Sequence, residues 1–411
     1  MEHTTTHRTH RNHRKKPFTI LLAIILVLTL VLGTGCATYD RFRASLAQTE
    51  SEVNEVVRIG VYEPLSGVDE KAASLEILGI ELAHQQMPEI LGKPIELVYM
   101  DNGSDPEKAQ TAAKELVNQK VSVVLGSYGS TLSIAGGQVF RDAKLPAIAI
   151  TCTNPLVTAA NDYYVRVCFV DSFQAIAMAK YAVETLTASN TAVIANEDDD
   201  YSITLSKVFR EKVASLQGID PDSVSAYEYS KNNSNLGTIL DAVQEAAPQV
   251  IYLPVAYEDA AKIINQARSK GIKATFFGVE EWEQQEFLAK GGQAVAGVVF
   301  PSFFDSTTML TPVTQQLVDA YYEQFKSWEV PSEVAHGFDA YLLAVDAIRR
   351  AETSVNTEAI HQAIADTKAF QGATGEITLF GTRGDPIKSV VIKTVKDGAF
   401  AYLSTAVPVW K

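Results

Sequence analysis

The chain has 411 residues, with 35 Lys plus Arg against 49 Asp plus Glu and a formal net charge of −14. Apolar residues make up 46% and charged residues 20%, a globular balance that excludes a disordered, collagen-like or disulfide-scaffold chain. The acidic balance argues against a nucleic-acid partner, which needs clustered Lys and Arg. Beyond the first 16 residues only His84, His336 and His361 remain, too scattered for a His-rich metal centre. The length predicts two or three domains at roughly 150 residues each.

The N-terminus is an export signal by its pattern. Arg8, Arg11, Arg14, Lys15 and Lys16 stand against Glu2 alone, and residues 18–32 are almost wholly Leu, Ile, Val, Ala and Thr. That apolar run falls short of the roughly twenty residues a bilayer span needs. The Gly35-Cys36 junction resembles a bacterial lipobox, whose Cys is acylated and becomes the mature N-terminus, although Gly33 stands where such boxes usually carry Leu. Residues 1–35 are thus read as a lipoprotein signal peptide, with Cys36 the lipidation site and 36–54 a polar tether. An uncleaved anchor and ordinary secretion are the alternatives, and all three place the rest of the chain outside the cytoplasm. One lipid chain binds marginally, so stable attachment takes the several chains that bacterial lipoproteins carry. Without residues 1–35, 30 Lys plus Arg face 48 Asp plus Glu, a net charge of −18.

From residue 56 on, strands and helices alternate. Short apolar runs at 56–61, 95–100, 121–125 and 147–150 read as strands. Asp105-Pro106 opens a helix between two of them, because Asp caps well and Pro is tolerated at the first helical position. Ala109, Ala112, Ala113, Leu116 and Val117 give that helix a buried stripe. A second series of runs covers 191–195, 223–229, 250–253, 274–277 and 297–300, with helices at 203–213, 236–243 and 260–267. Near-continuous apolar strands joined by helices predict parallel sheets covered on both faces, and two series predict two α/β lobes. The tail differs: a long amphipathic helix carries Val334, Phe338, Leu342, Val345 and Ile348, a short one spans 357–365, and β-type runs follow at 376–380, 389–394 and 399–404.

Ligands of open parallel sheets bind outside the carboxyl ends of the strands. After 121–125 comes Gly126-Ser127-Tyr128-Gly129-Ser130-Thr131, a Gly- and Ser-rich loop opening a helix. Its free N–H groups, hydroxyls and positive dipole end suit an anion. A helix cap at Ser130 or Thr131 explains the same residues. The loop lacks the Lys-Ser/Thr ending of a phosphate-binding loop and no G-x-G-x-x-G follows the first strand, so a carboxylate fits better than a nucleotide phosphate and no cofactor is expected. After 147–150 comes Thr151-Cys152-Thr153-Asn154-Pro155, a polar patch that turn chemistry accounts for equally well. After 191–195 comes Asn196-Glu197-Asp198-Asp199-Asp200-Tyr201, an acidic loop without calcium-loop spacing, in which Tyr201 can wall a cleft. After 274–277 comes Gly278-Val279-Glu280-Glu281-Trp282, where a carboxylate beside an aromatic ring suits an ammonium, or Glu280 serves as a surface helix cap. No G-x-S-x-G, H-E-x-x-H, C-x-x-C or other nucleophile–base pattern points to an enzyme.

Read in order, several pieces resemble the type I periplasmic binding proteins of the leucine/isoleucine/valine class, the extracytoplasmic receptors of ABC importers. They are Ile59-Gly60-Val61-Tyr62-Glu63-Pro64-Leu65-Ser66-Gly67, Gly79-Ile80-Glu81-Leu82-Ala83, the loops at 126–131 and 151–155, and Tyr164-Val165-Arg166-Val167 with Asp171 and Gln174. Tyr201, Phe276-Phe277-Gly278-Val279-Glu280 and Phe370-Gln371-Gly372-Ala373-Thr374-Gly375-Glu376-Ile377 complete the set, which covers about 56–405. The resemblance implies two doubly wound parallel-sheet lobes joined by a multi-strand hinge, one from 55–168 plus 305–384, the other from 169–304 plus 385–411. It implies a monomer that binds a free amino acid, branched-chain or otherwise apolar, closes by hinge motion and delivers it to a membrane permease. Ser130 and its helix N–H groups, with Thr131 beside them, would take the α-carboxylate, helped by Thr153. The Thr151 carbonyl and Glu280 would face the α-ammonium, Tyr201 would close from the second lobe, and Tyr128, Tyr257 and Trp282 would shape the side-chain pocket. The chain departs from the family at Ala72-Ala73, where Tyr-Gly is frequent, and at Ser202, where Gly is usual; loss of an aromatic wall reshapes the side-chain pocket. Urea, an amide or another small solute, or a sensor role beside a membrane receptor, are the alternative readings. Cys152 and Cys168 can form a bridge in an exported protein or remain two buried thiols.

Overall fold

The computed structural model describes residues 55–230 and 235–406. The predicted signal segment, the tether at 36–54 and Cys36 lie outside the described residues.

Strands β1 (Val57–Glu63), β2 (Glu89–Ile90), β3 (Lys93–Asp101), β4 (Val123–Gly126), β5 (Ala147–Ala149) and β6 (Tyr164–Arg166) form a sheet of order β2-β3-β1-β4-β5-β6. All neighbours run parallel except the short edge strand β2. Side chains alternate across a strand, and here both faces are buried. Ile59, Val61, Val123 and Leu125 pack under helices Glu70–Gln86 and Ser332–Ala351. Tyr62 and Val124 pack on the other face with Leu116 and Phe140 of helices Pro106–Asn118 and Ser130–Asp142. Asp105 caps helix Pro106–Asn118 as its sequence predicts, its carboxylate accepting from Glu107 N and Lys108 N at 2.9 Å each. Helices Glu70–Gln86 and Ser332–Ala351 cross at two glycines. A Cβ on Gly79 would stand 2.0 Å from the Val334 carbonyl oxygen, and one on Gly337 would stand 2.0 Å from that of Glu76.

The second sheet uses β7 (Thr191–Asn196), β8 (Ser225–Tyr229), β9 (Val250–Tyr252), β10 (Thr275–Phe277) and β11 (Val299–Ser302), all parallel. A small hairpin, β12 (Phe370–Gly372) with β13 (Gly375–Ile377), stands apart from both sheets. Strands β14 (Val390–Lys396) and β15 (Ala399–Ala406) then add antiparallel edges to the second sheet, whose order is β15-β14-β11-β10-β9-β7-β8. Its core gathers Phe209, Leu240, Tyr252, Ile264 and Phe276 from helices on both sides and the strands between.

The chain passes between the two sheets three times. It leaves the first after β6, and it returns after β11, because Leu317 of helix Pro312–Phe325 and Val334 pack in the first core. It leaves again after β13 to supply β14. Arg166 and Lys388 fill these passages, both buried. Arg166 Nη2 donates to the Asn154 carbonyl and the Thr158 hydroxyl at 3.0 Å each, and Nε lies 2.7 Å from Asp385. Lys388 Nζ donates to the Val167 carbonyl and the Thr374 hydroxyl at 2.7 Å each. Burial pushes the Lys388 ammonium down to about 8.

Candidate functional site

In each sheet the strand order reverses beside the first strand to enter it: β1 has β3 on one side and β4 on the other, and β7 has β8 and β9. Loops leaving the carboxyl ends there diverge and leave room for a ligand. The loops after β4 and β5 of the first sheet and after β10 and β11 of the second, with Leu75 and residues 329–333, line one cleft of about 700 Å³. Tyr128, Ser130, Thr151 and Thr153 enter from the first sheet, and Glu280 and Glu281 from the second.

Ser130 begins helix Ser130–Asp142, and the preceding Gly129 has no side chain with which to cap it. The helix therefore presents its first N–H groups and positive end to the cleft. Ser130 Oγ accepts from Asn154 N at 3.4 Å, which joins the two ligand-facing loops. Thr131, one residue on, is exposed and does not line the cleft. The Thr153 carbonyl accepts from Asp171 N at 3.1 Å, and Asp171 begins the first helix after the passage out of β6.

Behind this floor lies a pair of carboxyl groups. Glu63 ends β1 and Glu76 sits in helix Glu70–Gln86, both with no exposed surface. Glu63 Oε2 accepts from Tyr128 N at 2.6 Å, and Glu76 Oε1 accepts from the Thr151 hydroxyl. Burial, then the neighbouring Glu76, holds the Glu63 carboxyl well above the usual range; burial pushes Glu76 up to about 8. A mutual hydrogen bond between the two requires a proton on one of them. Glu63 appears in the sequence only as part of the Glu63-Pro64-Leu65-Ser66-Gly67 turn and Glu76 as one polar residue in a helix, so the pair is invisible without the fold.

On the opposite wall Glu280 opens a single 3₁₀ turn, Glu280–Trp282. The Tyr201 hydroxyl donates to Glu280 Oε2 at 3.3 Å while accepting from Gln174 Nε2 at 3.0 Å, and Gln174 Oε1 accepts from Glu280 N at 3.3 Å. Tyr201 thus stands behind Glu280 and outside the cleft lining. Fully buried Gln174 orients both. Burial, then the charges of Asp171 and Glu281, pushes the Glu280 carboxyl up to about 8. Three carboxyl groups in one corner provide a site poised for a cation.

Two aromatic residues expected in the side-chain pocket lie elsewhere. Trp282 is fully buried, donates from its indole N–H to the Val255 carbonyl at 2.9 Å and stacks on Phe287. Tyr257 begins helix Tyr257–Ser269 and packs beside Lys290, whose Nζ is 5.4 Å from the ring centroid. Leu75, Phe303 and Glu333 line the cleft instead. Phe303 stacks on Phe169 with centroids 4.4 Å apart and meets His336 edge-on at 5.3 Å. Cys152 and Cys168 are free, buried thiols. Cys168 Sγ donates to the Cys152 carbonyl at 3.2 Å and Cys152 Sγ to the Ser127 carbonyl at 2.9 Å, so each points at backbone. Among the described residues no group of three or more His, Cys, Asp or Glu could hold a metal ion.

Two open α/β sheets, linked by three chain passages, with their strand ends around a single polar cleft define a two-lobed solute-binding protein. The sequence profile of the periplasmic binding protein family matches residues 56–399, and the chain belongs to that family. It is 24% identical over 339 residues to Leu/Ile/Val-binding protein homolog 3 of Brucella melitensis, covering 80% of this chain and 88% of the relative. It is 22% identical over 284 residues to the Leu/Ile/Val-binding protein of Escherichia coli, covering 67% and 75%. Among solved structures, a leucine-binding protein of Thermotoga maritima superposes with a TM-score of 0.71 at 32% identity, covering 86% of this chain and 99% of that one. The branched-chain amino acid transporter substrate-binding protein of Streptococcus pneumoniae, solved with isoleucine, gives 0.68 at 26% identity, covering 86% and 99%. The family is one of solute-binding proteins, not enzymes.

Proposed function

We propose that the chain is the extracytoplasmic receptor of an ABC importer and binds a free α-amino acid between its two lobes. The observation that carries this reading is the pairing of an uncapped helix start with Glu280 across one cleft. An α-carboxylate fits the Ser130 N–H groups and hydroxyl, with Thr153 beside them. An α-ammonium fits Glu280 and the Thr151 carbonyl. Tyr201 and Gln174 hold Glu280 in place rather than touching ligand. The names of the relatives, Leu/Ile/Val-binding and leucine-binding, support an amino acid as the ligand class.

A zwitterion gripped from both sides makes more contacts when the walls approach, so it favours a closed state, with the three passages near 168–169, 304–305 and 384–385 as the hinge. Acylation at Cys36 would hold the receptor, as a monomer, beside its permease. Calorimetric titration of the full chain with the free amino acids tests the reading. At least one binds with a submillimolar Kd, and Glu280→Gln weakens it at least about 30-fold, because a desolvated ammonium loses its charge partner. Binding of urea or simple amides, with every amino acid silent, would replace the zwitterion by an uncharged solute.

A further inference from the structure

The charge of the cleft is one-sided. Glu280, Glu281, Glu283, Glu329 and Glu333 line it, and no Lys, Arg or His does. Glu283 is neutralised by Lys393. The other four have no ion-pair partner among the described residues. A zwitterion with an apolar side chain brings no net charge to them. Its ammonium satisfies Glu280, its carboxylate goes to the Ser130 helix, and closing the lobes would desolvate the remaining carboxylates with nothing opposite, a costly outcome.

The first-lobe wall shows where a second cation would sit. Leu75 and the Tyr128 ring offer an apolar surface for a methylene stem, and half-buried Glu333 stands in the same cleft, its Oε2 accepting from the Ser332 hydroxyl at 3.1 Å. The field of Glu333 reaches both Tyr128 and Glu76.

We infer that the cleft selects an amino acid whose side chain carries a second cation, the α-ammonium resting on Glu280 and the side-chain cation on Glu333, with its stem across Leu75 and Tyr128. This rests on the amino-acid reading above. At identities between 22% and 32%, the preferences in the relatives' names do not fix the side chain here.

The test is calorimetric titration of the full chain, extracted in detergent, with L-arginine, L-lysine, L-citrulline, L-leucine and cadaverine. Citrulline keeps the arginine shape without its charge, and cadaverine keeps two cations without a carboxylate. Arginine or lysine is expected to bind at least tenfold more tightly than citrulline and leucine, and Glu333→Gln, checked for folding by its melting curve, to bring that ratio close to one. Leucine binding more tightly than both basic amino acids, or a ratio that Glu333→Gln leaves unchanged, overturns the inference and leaves the amino-acid reading standing. Cadaverine binding while these amino acids are silent, or silence throughout, overturns the inference, and silence extended to all the free amino acids overturns the amino-acid reading as well.

Discussion

At the scale of the residue, Glu280 is where structure and chemistry meet most directly. With its carboxyl pushed up to about 8, it is mostly protonated in the empty cleft at pH 7. An ammonium set against it stabilises the charged form and pulls that value down, so binding releases a proton. Affinity should therefore rise with pH up to about 8 and level off above. Titrations at pH 7 in buffers of different ionisation enthalpy should show the release, and proton uptake would contradict it. Glu280 and Ser130 could be picked out in the sequence because each follows an apolar strand at its carboxyl end. Trp282, which met the same criterion, and Tyr257, which the family resemblance supplied, lie away from the cleft, since a position in the chain does not say which way a ring turns. Trp282 turns inward to bond Val255, and Tyr257 turns toward Lys290.

At the scale of the element, the helix crossing and the buried acid pair carry opposite consequences for stability. Gly79→Ala sets a methyl on the Val334 carbonyl and should cost about 2–4 kcal/mol, read as a lower melting temperature. Glu76 titrates near 8 in the folded chain and near 4.5 when unfolded. The folded state thus holds the extra proton between those values, and stability falls as pH rises from 4.5 through 8. Glu76→Gln, which keeps an acceptor for Thr151, should flatten that decline. It should raise the melting temperature at pH 8 by about 2–5 °C, with little difference at pH 4; a decline identical to that of the parent would remove Glu76 as its source. Most elements were legible from apolar runs and caps, as with Asp105-Pro106. Strands β2, β6 and β12 span two or three residues, too short for any period to show, and are defined by their sheet partners. The run expected at 376–380 ends instead at Ile377, where the hairpin with β12 closes.

At the scale of the whole molecule, two lobes were readable because two series of strands each formed a complete α/β pattern. Ser130 and Glu280 were readable as facing residues, but other parts of the cleft were not. Phe303 and Glu333 reach the cleft only because the chain returns to the first core after β11, and no local pattern marks that return. The central claim is that the cleft takes a free amino acid. Its most direct test is thermal unfolding of the full chain with each amino acid in turn, beside urea and simple amides. A ligand that binds only the folded state, at 100 times its Kd, adds about 2.7 kcal/mol of stability. Such a rise is expected for at least one amino acid, and its loss in Glu280→Gln; stabilisation by an uncharged solute alone, untouched by that substitution, would contradict an amino-acid site.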